Sequence, residues 1–332
     1  MAIQNLRACD LFAHFSDPQL ELIERCVEDL RAPAGTVILK EGEPTAAAYL
    51  IARGAVRIQR KTPYGLFTLA NLKTGHLFGE TSFVDRNARS SDAVATTDCD
   101  LLILNPDELT PLLENDQRLT LALYWSFWKS LSSKLRLTNQ QLTQFFSQTG
   151  RPASTSSSVA KDATGEFRVD LAAKRKLFQE QKLSSLEINF LASLSKEKQL
   201  APNQVIFSEG EPGDEMYVVL EGRVMISKFI PGAGEEALAF LERGDYFGEM
   251  ALIDNVPRSA DAKAHDGGAV VLAIPREVLE GILDIHKLSS SRLLKVLCNL
   301  VASRLRELDE KIIGWFILAG GSGSSWLAAA ED

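Results

Sequence analysis

Cysteine and histidine are scarce, four of each in 332 residues, and neither type clusters. Cys9, Cys26, Cys99 and Cys298 show no C-x-x-C spacing, and His14, His76, His265 and His286 do not gather beside them. That excludes a zinc-ligand set and a disulfide framework, and reads as reduced structural thiols in a cytosolic protein. Long apolar runs are missing as well. The longest, Ile312 to Ala319, spans eight residues including Gly314, whereas a membrane helix needs about 20. The opening Met-Ala-Ile-Gln-Asn-Leu-Arg lacks the apolar core of a signal peptide. A soluble, cytoplasmic protein with no membrane partner is the expectation. Basic excess is absent too: 36 Lys and Arg stand against 44 Asp and Glu, a net charge of −8. That disfavours duplex nucleic acid as the main partner. No nucleophile–base pair and no metal constellation appears, so catalysis is not expected.

What is present is a long internal repeat. With 45% hydrophobic residues the chain is long enough for two domains, and it carries the same design twice. Glu41-Gly42-Glu43-Pro44 returns as Glu209-Gly210-Glu211-Pro212, and Tyr49 and Gly54 return as Tyr217 and Gly222, all at an offset of 168. Leu77-Phe78-Gly79-Glu80 then returns as Tyr246-Phe247-Gly248-Glu249 at an offset of 169, with one residue inserted between. A repeat of this length implies two similar domains, not a solenoid. The expected boundaries are 1–148 for the first domain with a long C-terminal helix, 149–169 for a flexible Ser-rich linker, 170–318 for the second domain and 319–332 for a tail.

Within each copy the period changes from helical to strand-like. Ser16-Asp17-Pro18 is a helix start, and Leu20, Ile23, Val27 and Leu30 follow at helical spacing. From Thr36 short strands are expected at 36–39, on both sides of Gly54, at 66–72 and at 101–104. A helix from Arg118 to about Phe146 carries Leu119, Leu123, Phe127, Leu131, Leu135 and Leu142 with Trp125 and Trp128, too apolar to be solvated. It packs on its own sheet or on a partner. The last helix is expected from Ser290 to about Ile313, ended by Gly314. Many short strands with close turns indicate an α+β chain of two rolls or barrels flanked by helices.

The repeated Phe-Gly-Glu stretch is the candidate functional motif. Phe78-Gly79-Glu80-Thr81-Ser82 is followed by Arg89-Ser90, and Phe247-Gly248-Glu249-Met250-Ala251 by Arg258-Ser259; each arginine stands nine residues after its glutamate. A glycine lets a ligand approach the backbone, and the turn after it offers free N–H groups to phosphate. An arginine adds parallel hydrogen bonds that lysine cannot match in geometry. A carboxylate beside an anion needs a hydroxyl to accept from, which suggests a sugar. An ordinary surface Glu–Arg pair is the alternative for one copy alone, and the duplication argues against it.

These motifs together resemble a tandem pair of cyclic nucleotide-binding domains, over nearly all of the chain outside the linker and tail. The resemblance implies two eight-stranded β-rolls, each cupping a cyclic phosphate with a short helix. Glu80 and Glu249 would take the ribose 2′-hydroxyl, Arg89 and Arg258 the phosphate, with Ser90 and Ser259 beside the ligand. Lys134-Leu135-Arg136-Leu137-Thr138-Asn139 is similar to the long helix of the bacterial catabolite activator family, where a Thr-Ser pair reads adenine and the helices pair in a dimer. Thr138 and Asn139 would read the base here, and a homodimer through the 118–146 helix is a candidate assembly. Leu308 and Asp309 stand at that place in the second copy and break the match. Trp315 or Trp326 is a candidate for stacking on the base, with plain packing as the other reading. Ala88 replaces Pro257, Thr81-Ser82 replaces Met250-Ala251, and His76 replaces Asp245, so the first site is expected to differ in ligand or strength.

The tandem layout also resembles the regulatory subunit of cyclic AMP-dependent protein kinase. It lacks the docking helices and the Arg-Arg-x-Ser-like segment that resemblance would bring, and no helix-turn-helix follows the second copy. The expectation is a bacterial-type, non-catalytic cyclic AMP receptor with two sites. It would act allosterically on an unidentified effector protein, through ligand-driven rearrangement of the helices after each roll. A receptor for cyclic GMP or a cyclic dinucleotide, and a scaffold whose rolls no longer bind, are the alternatives.

Overall fold

The computed structural model describes residues 6–7, 9–148, 169–230, 234–283 and 291–321. The chain divides into two compact units, Met1–Thr138 with Val301–Asp332, and Asn139–Leu300. The division falls inside two helices. Nearly all of the linker expected at 149–169, and residues 322–332 with Trp326, lie outside the described residues.

In the first unit Ser16 caps helix α1 (Asp17–Glu24), and the side chain of Gln19 reaches back to the Ser16 N–H at 2.9 Å. The helix stops at Glu24, short of the expected Leu30. Val27–Ala32 is instead strand β1, paired antiparallel along its whole length with β8 (Cys99–Leu104). Val27 and Leu30 fit a helical spacing, but six paired backbone positions from a distant strand override it. β2 (Val37–Leu39), β3 (Ala48–Arg53), β4 (Ala55–Thr62) and β5 (Gly65–Lys73) lie where strands are expected. The short β6 (Leu77–Phe78) and β7 (Asp92–Ala95), unread in the sequence, complete two four-stranded sheets of order β1-β8-β3-β6 and β2-β7-β4-β5. Leu39, Ile51, Val56, Leu72, Phe78 and Leu101 form the core between them, with Leu137 packed against it.

Helix α2 (Glu80–Asp85) follows β6, and α3 (Pro106–Asn115) follows β8. Asp116 then opens the long α4 (Gln117–Gln148), its carboxylate accepting the N–H groups of Arg118 and Leu119 at 2.9 and 3.0 Å. Leu119, Leu123, Phe127, Trp128, Leu131 and Leu142 of α4 are buried within the single chain. Burial of each such side chain contributes about 1.5–3 kcal/mol.

The second unit repeats the plan with fewer breaks. Its elements are α5 (Leu171–Glu180), α6 (Ser185–Leu194), β9 (Lys196–Leu200), β10 (Val205–Phe207), β11 (Glu215–Ile230), β12 (Gly234–Leu241), β13 (Tyr246–Phe247), α7 (Met250–Asp254), β14 (Asp261–Pro275) and α8 (Arg276–Leu283). At the repeat offset β11 covers the ground of β3 and β4, and β14 that of β7 and β8. Register shifts around Glu221 and Gly222 mark the bend at which the first copy separates its strands. The final helix α9 (Arg292–Leu318) runs past Gly314, which was expected to end it. Ile312, Ile313 and Phe316 are buried, and the Phe316 ring lies 4.9 Å from that of Phe67. That packing, inside the first unit, outweighs the modest cost of one helical glycine.

Candidate functional site

The turn between β6 and α2 is built around Gly79, whose φ of 76° lies in the left-handed region that favours glycine. A Cβ there would sit 2.8 Å from Arg89 Nη1 and 2.9 Å from the Ala47 carbonyl oxygen. The reason is that Arg89 is folded onto the turn. Its Nη1 donates to the Gly79 carbonyl at 2.9 Å, Nη2 to the Ala47 carbonyl at 2.6 Å and Nε to Thr45 Oγ1 at 2.9 Å. Only 4% exposed, the guanidinium has its pKa drawn below the free value by burial. Three of its five N–H groups are used, which fixes its plane and leaves two for a ligand.

Glu80 begins α2 and is fully buried at 0% exposure. Oε1 accepts from Ser130 Oγ at 2.9 Å and from Lys134 Nζ, both on α4, and Lys134 Nζ also donates to the Leu77 carbonyl at 2.8 Å. Oε2 is buried and has no partner among the described residues. Such an acceptor costs about 1–3 kcal/mol of lost hydrogen bonding unless something supplies a donor.

One pocket gathers these groups. Phe78, Gly79, Glu80, Thr81, Ser82, Arg89, Ser90 and Thr138 all line it, eight of the nine residues singled out for the first site. Asn139 does not line it; it is buried, and its carbonyl accepts from Thr143 Oγ1 at 3.1 Å. Trp315 is not among the lining residues either. The pocket has walls that sequence reasoning missed: Lys134 and Leu137 of α4, and Leu305, Arg306 and Asp309 from the stretch of α9 that belongs to the same unit. Arg306 binds Asp85 through Nε at 2.6 Å and Nη2 at 3.1 Å, and it also donates to Ser82 Oγ and to the Ala88 carbonyl. Thr138 Oγ1 donates to Asp309 Oδ1 over 3.4 Å. The signals for these residues were faint. Lys134 stands one turn before Thr138 on the same helix face, and Arg306 and Asp309 stand three apart in a helix that carries several other charged residues.

The second site repeats the arrangement with substitutions. Gly248 again has φ of 76°, and Arg258, 5% exposed, donates from Nη1 to the Gly248 carbonyl at 2.5 Å and from Nη2 to the Glu215 carbonyl at 2.7 Å. Phe247 stacks on Tyr217 with ring centroids 5.1 Å apart, as Phe78 does on Tyr49 at 5.0 Å. Gly213 stands where the first copy has Thr45, so Arg258 Nε is buried without a partner. Phe207 stands where the first copy has Leu39, and the guanidinium lies 4.2 Å from its ring centroid. Glu249 is 1% exposed, Met250 and Ala251 are buried, and Ser259 Oγ lies 3.8 Å from Met250 Sδ. Arg276 donates to the Leu252 carbonyl at 2.8 Å and to the Ala251 carbonyl at 3.2 Å, holding the end of α7.

A family model for the cyclic nucleotide-binding domain matches residues 30–116 and again 197–286, together just over half of the chain. The chain belongs to the cyclic nucleotide-binding domain family, with two such domains in tandem. It is similar to the cGMP-dependent protein kinase egl-4 of Caenorhabditis briggsae, 23% identical over 270 residues, 81% of this chain and 29% of that protein. It is also similar to a cAMP-dependent protein kinase regulatory subunit of Dictyostelium discoideum, 24% identical over 255 residues, 75% of this chain and 64% of that one. The chain thus spans under a third of the first relative and just under two thirds of the second. Among solved structures, the regulatory domain of Toxoplasma gondii PKA co-crystallised with cAMP is 20% identical. It covers 86% of this chain and 93% of its own length, at a TM-score of 0.33. No helix of the described residues is long and apolar enough to cross a membrane.

Proposed function

We propose that this chain is a non-catalytic regulator with two cyclic nucleotide sites, one in each domain. The observation that carries the reading is the buried, unpartnered Oε2 of Glu80, set in one pocket with the anchored guanidinium of Arg89. A ribose 2′-hydroxyl supplies the donor Oε2 lacks. The two spare N–H groups of Arg89 and the first N–H groups of α2 meet the cyclic phosphate, with Thr81, Ser82 and Ser90 around it. Glu249, Arg258 and Ser259, with the turn from Phe247 to Ala251, take the same parts in the second site. Cyclic AMP and cyclic GMP both carry this ribose-phosphate, and the names of the relatives divide between them.

Binding would act on shape. The first pocket has walls from α2, α4 and α9, so a ligand that touches all three favours the arrangement in which they meet. An effector protein that reads the position of these helices would then sense the nucleotide.

The test is calorimetric titration of the nucleotide-free protein with cyclic AMP, cyclic GMP and a cyclic dinucleotide, repeated on Arg89→Lys and Arg258→Lys. The wild-type chain is expected to take two equivalents of a cyclic mononucleotide. Each variant should weaken one site by about 2–4 kcal/mol. Absence of binding to all three ligands would replace the receptor with a scaffold.

A further inference from the structure

The two copies hold the arginines of their turns by different means. In the first, Arg89 donates from Nη1 to the Gly79 carbonyl and from Nη2 to the Ala47 carbonyl, and two such bonds define only an axis about which a planar guanidinium can still rotate. The third bond, from Nε to Thr45 Oγ1 at 2.9 Å, stops that rotation. Thr45 is exposed, on the turn just after Glu43-Pro44.

The second copy has no hydroxyl to use. At the offset of 168 that relates Glu43-Pro44 to Glu211-Pro212, Thr45 becomes Gly213. A Cβ there would lie 2.6 Å from Arg258 Cζ and 2.7 Å from Ala251 Cβ, so the guanidinium stands in the space that a threonine side chain would need. Arg258 makes the same two carbonyl bonds, and the Phe207 ring, its centroid 4.2 Å from Cζ, takes the place of the third. The loop that carries Gly213 is fastened from α8. Its first residue, Arg276, donates from Nη2 to the Gly213 and Ala251 carbonyls, each at 3.2 Å, and from Nη1 to the Leu252 carbonyl at 2.8 Å. The first copy has neither device. Leu39 replaces the ring, and Pro106, which has no side-chain donor, replaces Arg276: each stands two residues past the strand position, Leu104 or Ile274, that pairs with Ala48 or Met216.

Resting on the two-site reading above, we propose that Thr45 is a positioning residue of the first site, fixing the plane of Arg89 so that its two spare N–H groups meet one phosphate, a part that Phe207 and Arg276 share in the second. Thr45 acts through Arg89. Its removal leaves the arginine charged and both carbonyl bonds in place, so the loss is one of aim.

The experiment is a set of two-site titrations of the full chain with whichever of cyclic AMP and cyclic GMP it binds more tightly, and with the two phosphorothioate diastereomers of that nucleotide. Arg89→Lys and Arg258→Lys assign the sites. Thr45→Ala should weaken the first site about tenfold and leave the second unchanged, and Thr45→Ser should restore the first to within about threefold of the wild type. Phe207→Leu should show the reverse pattern, with the loss at the second site alone. Each diastereomer carries sulfur in place of a different exocyclic oxygen, so a guanidinium held in one plane tells them apart. Thr45→Ala should bring the first-site ratio between them down several-fold, whereas a merely structural threonine would weaken both by one factor. A first site untouched by Thr45→Ala, equal loss at both sites, or a diastereomer ratio that the variant leaves as it was overturns the positioning role and leaves the receptor reading standing. A wild-type chain that binds neither nucleotide overturns both.

Discussion

Asp309 offers a test that needs no ligand. Its carboxyl is 9% exposed, and burial pushes its pKa from 3.8 up to about 7. The hydroxyl of Thr138 and the charges of Arg60 and Lys134 pull in the other direction, while Glu310 adds to the rise. The folded-state pKa is raised, so the fold keeps a proton that the unfolded chain releases. The protonated carboxyl carries no penalty below about pH 4. As pH rises from 4 to 7 the penalty grows, and above 7 it is constant. A pKa moved from 3.8 to about 7 corresponds to on the order of 4 kcal/mol at the plateau. Asp309→Asn has no proton to lose, so relative to the variant the wild-type first unit should lose stability on that order between pH 4.5 and pH 8. Tryptophan fluorescence reads this unit selectively, because Trp125, Trp128 and Trp315 belong to it and residues 139–300 contain no tryptophan. Urea unfolding of both proteins at five pH values gives the difference directly. A difference that stays flat with pH would mean that Asp309 is ionised or well solvated in the fold, and the argument from its burial would be lost.

Two further changes separate the parts of the first site. Gly79→Ala places a Cβ 2.8 Å from Arg89 Nη1 in a left-handed backbone. It should destabilise the first unit by about 1–3 kcal/mol and abolish one binding equivalent, read by urea unfolding and titration. Arg306→Gln removes the two hydrogen bonds to Asp85 and those to Ser82 and Ala88. First-site affinity should fall about tenfold while the second site is unmoved, and equal loss at both sites would deny α9 its place in the first pocket.

How much of this could be read from the sequence depends on how far apart the deciding contacts lie. The turn motif was legible because its parts are local: Gly79, Glu80 and Arg89 lie within eleven residues, and Arg89 binds back onto the Gly79 carbonyl. Duplication then supplied a second observation of the same chemistry. β1 was read as helix because Val27 and Leu30 satisfy either period, and only the pairing with β8 more than 60 residues away decides between them. Gly314 was read as a helix end because its neighbours' burial depends on the packing of Phe316 on Phe67, about 250 residues apart. The far wall of the first pocket is the extreme case, since Thr138 and Asp309 are 171 residues apart. Asp309 looked like a failure of the second copy to match the first, when its partner is a residue of the first copy. This division has a consequence for the two sites. Whatever is encoded within the turn, the left-handed glycine and the arginine folded onto its carbonyl, is inherited by both copies almost unchanged. Whatever is supplied by a distant helix escapes that inheritance, so the two copies are expected to share the turn and to diverge along the walls that the long helices supply.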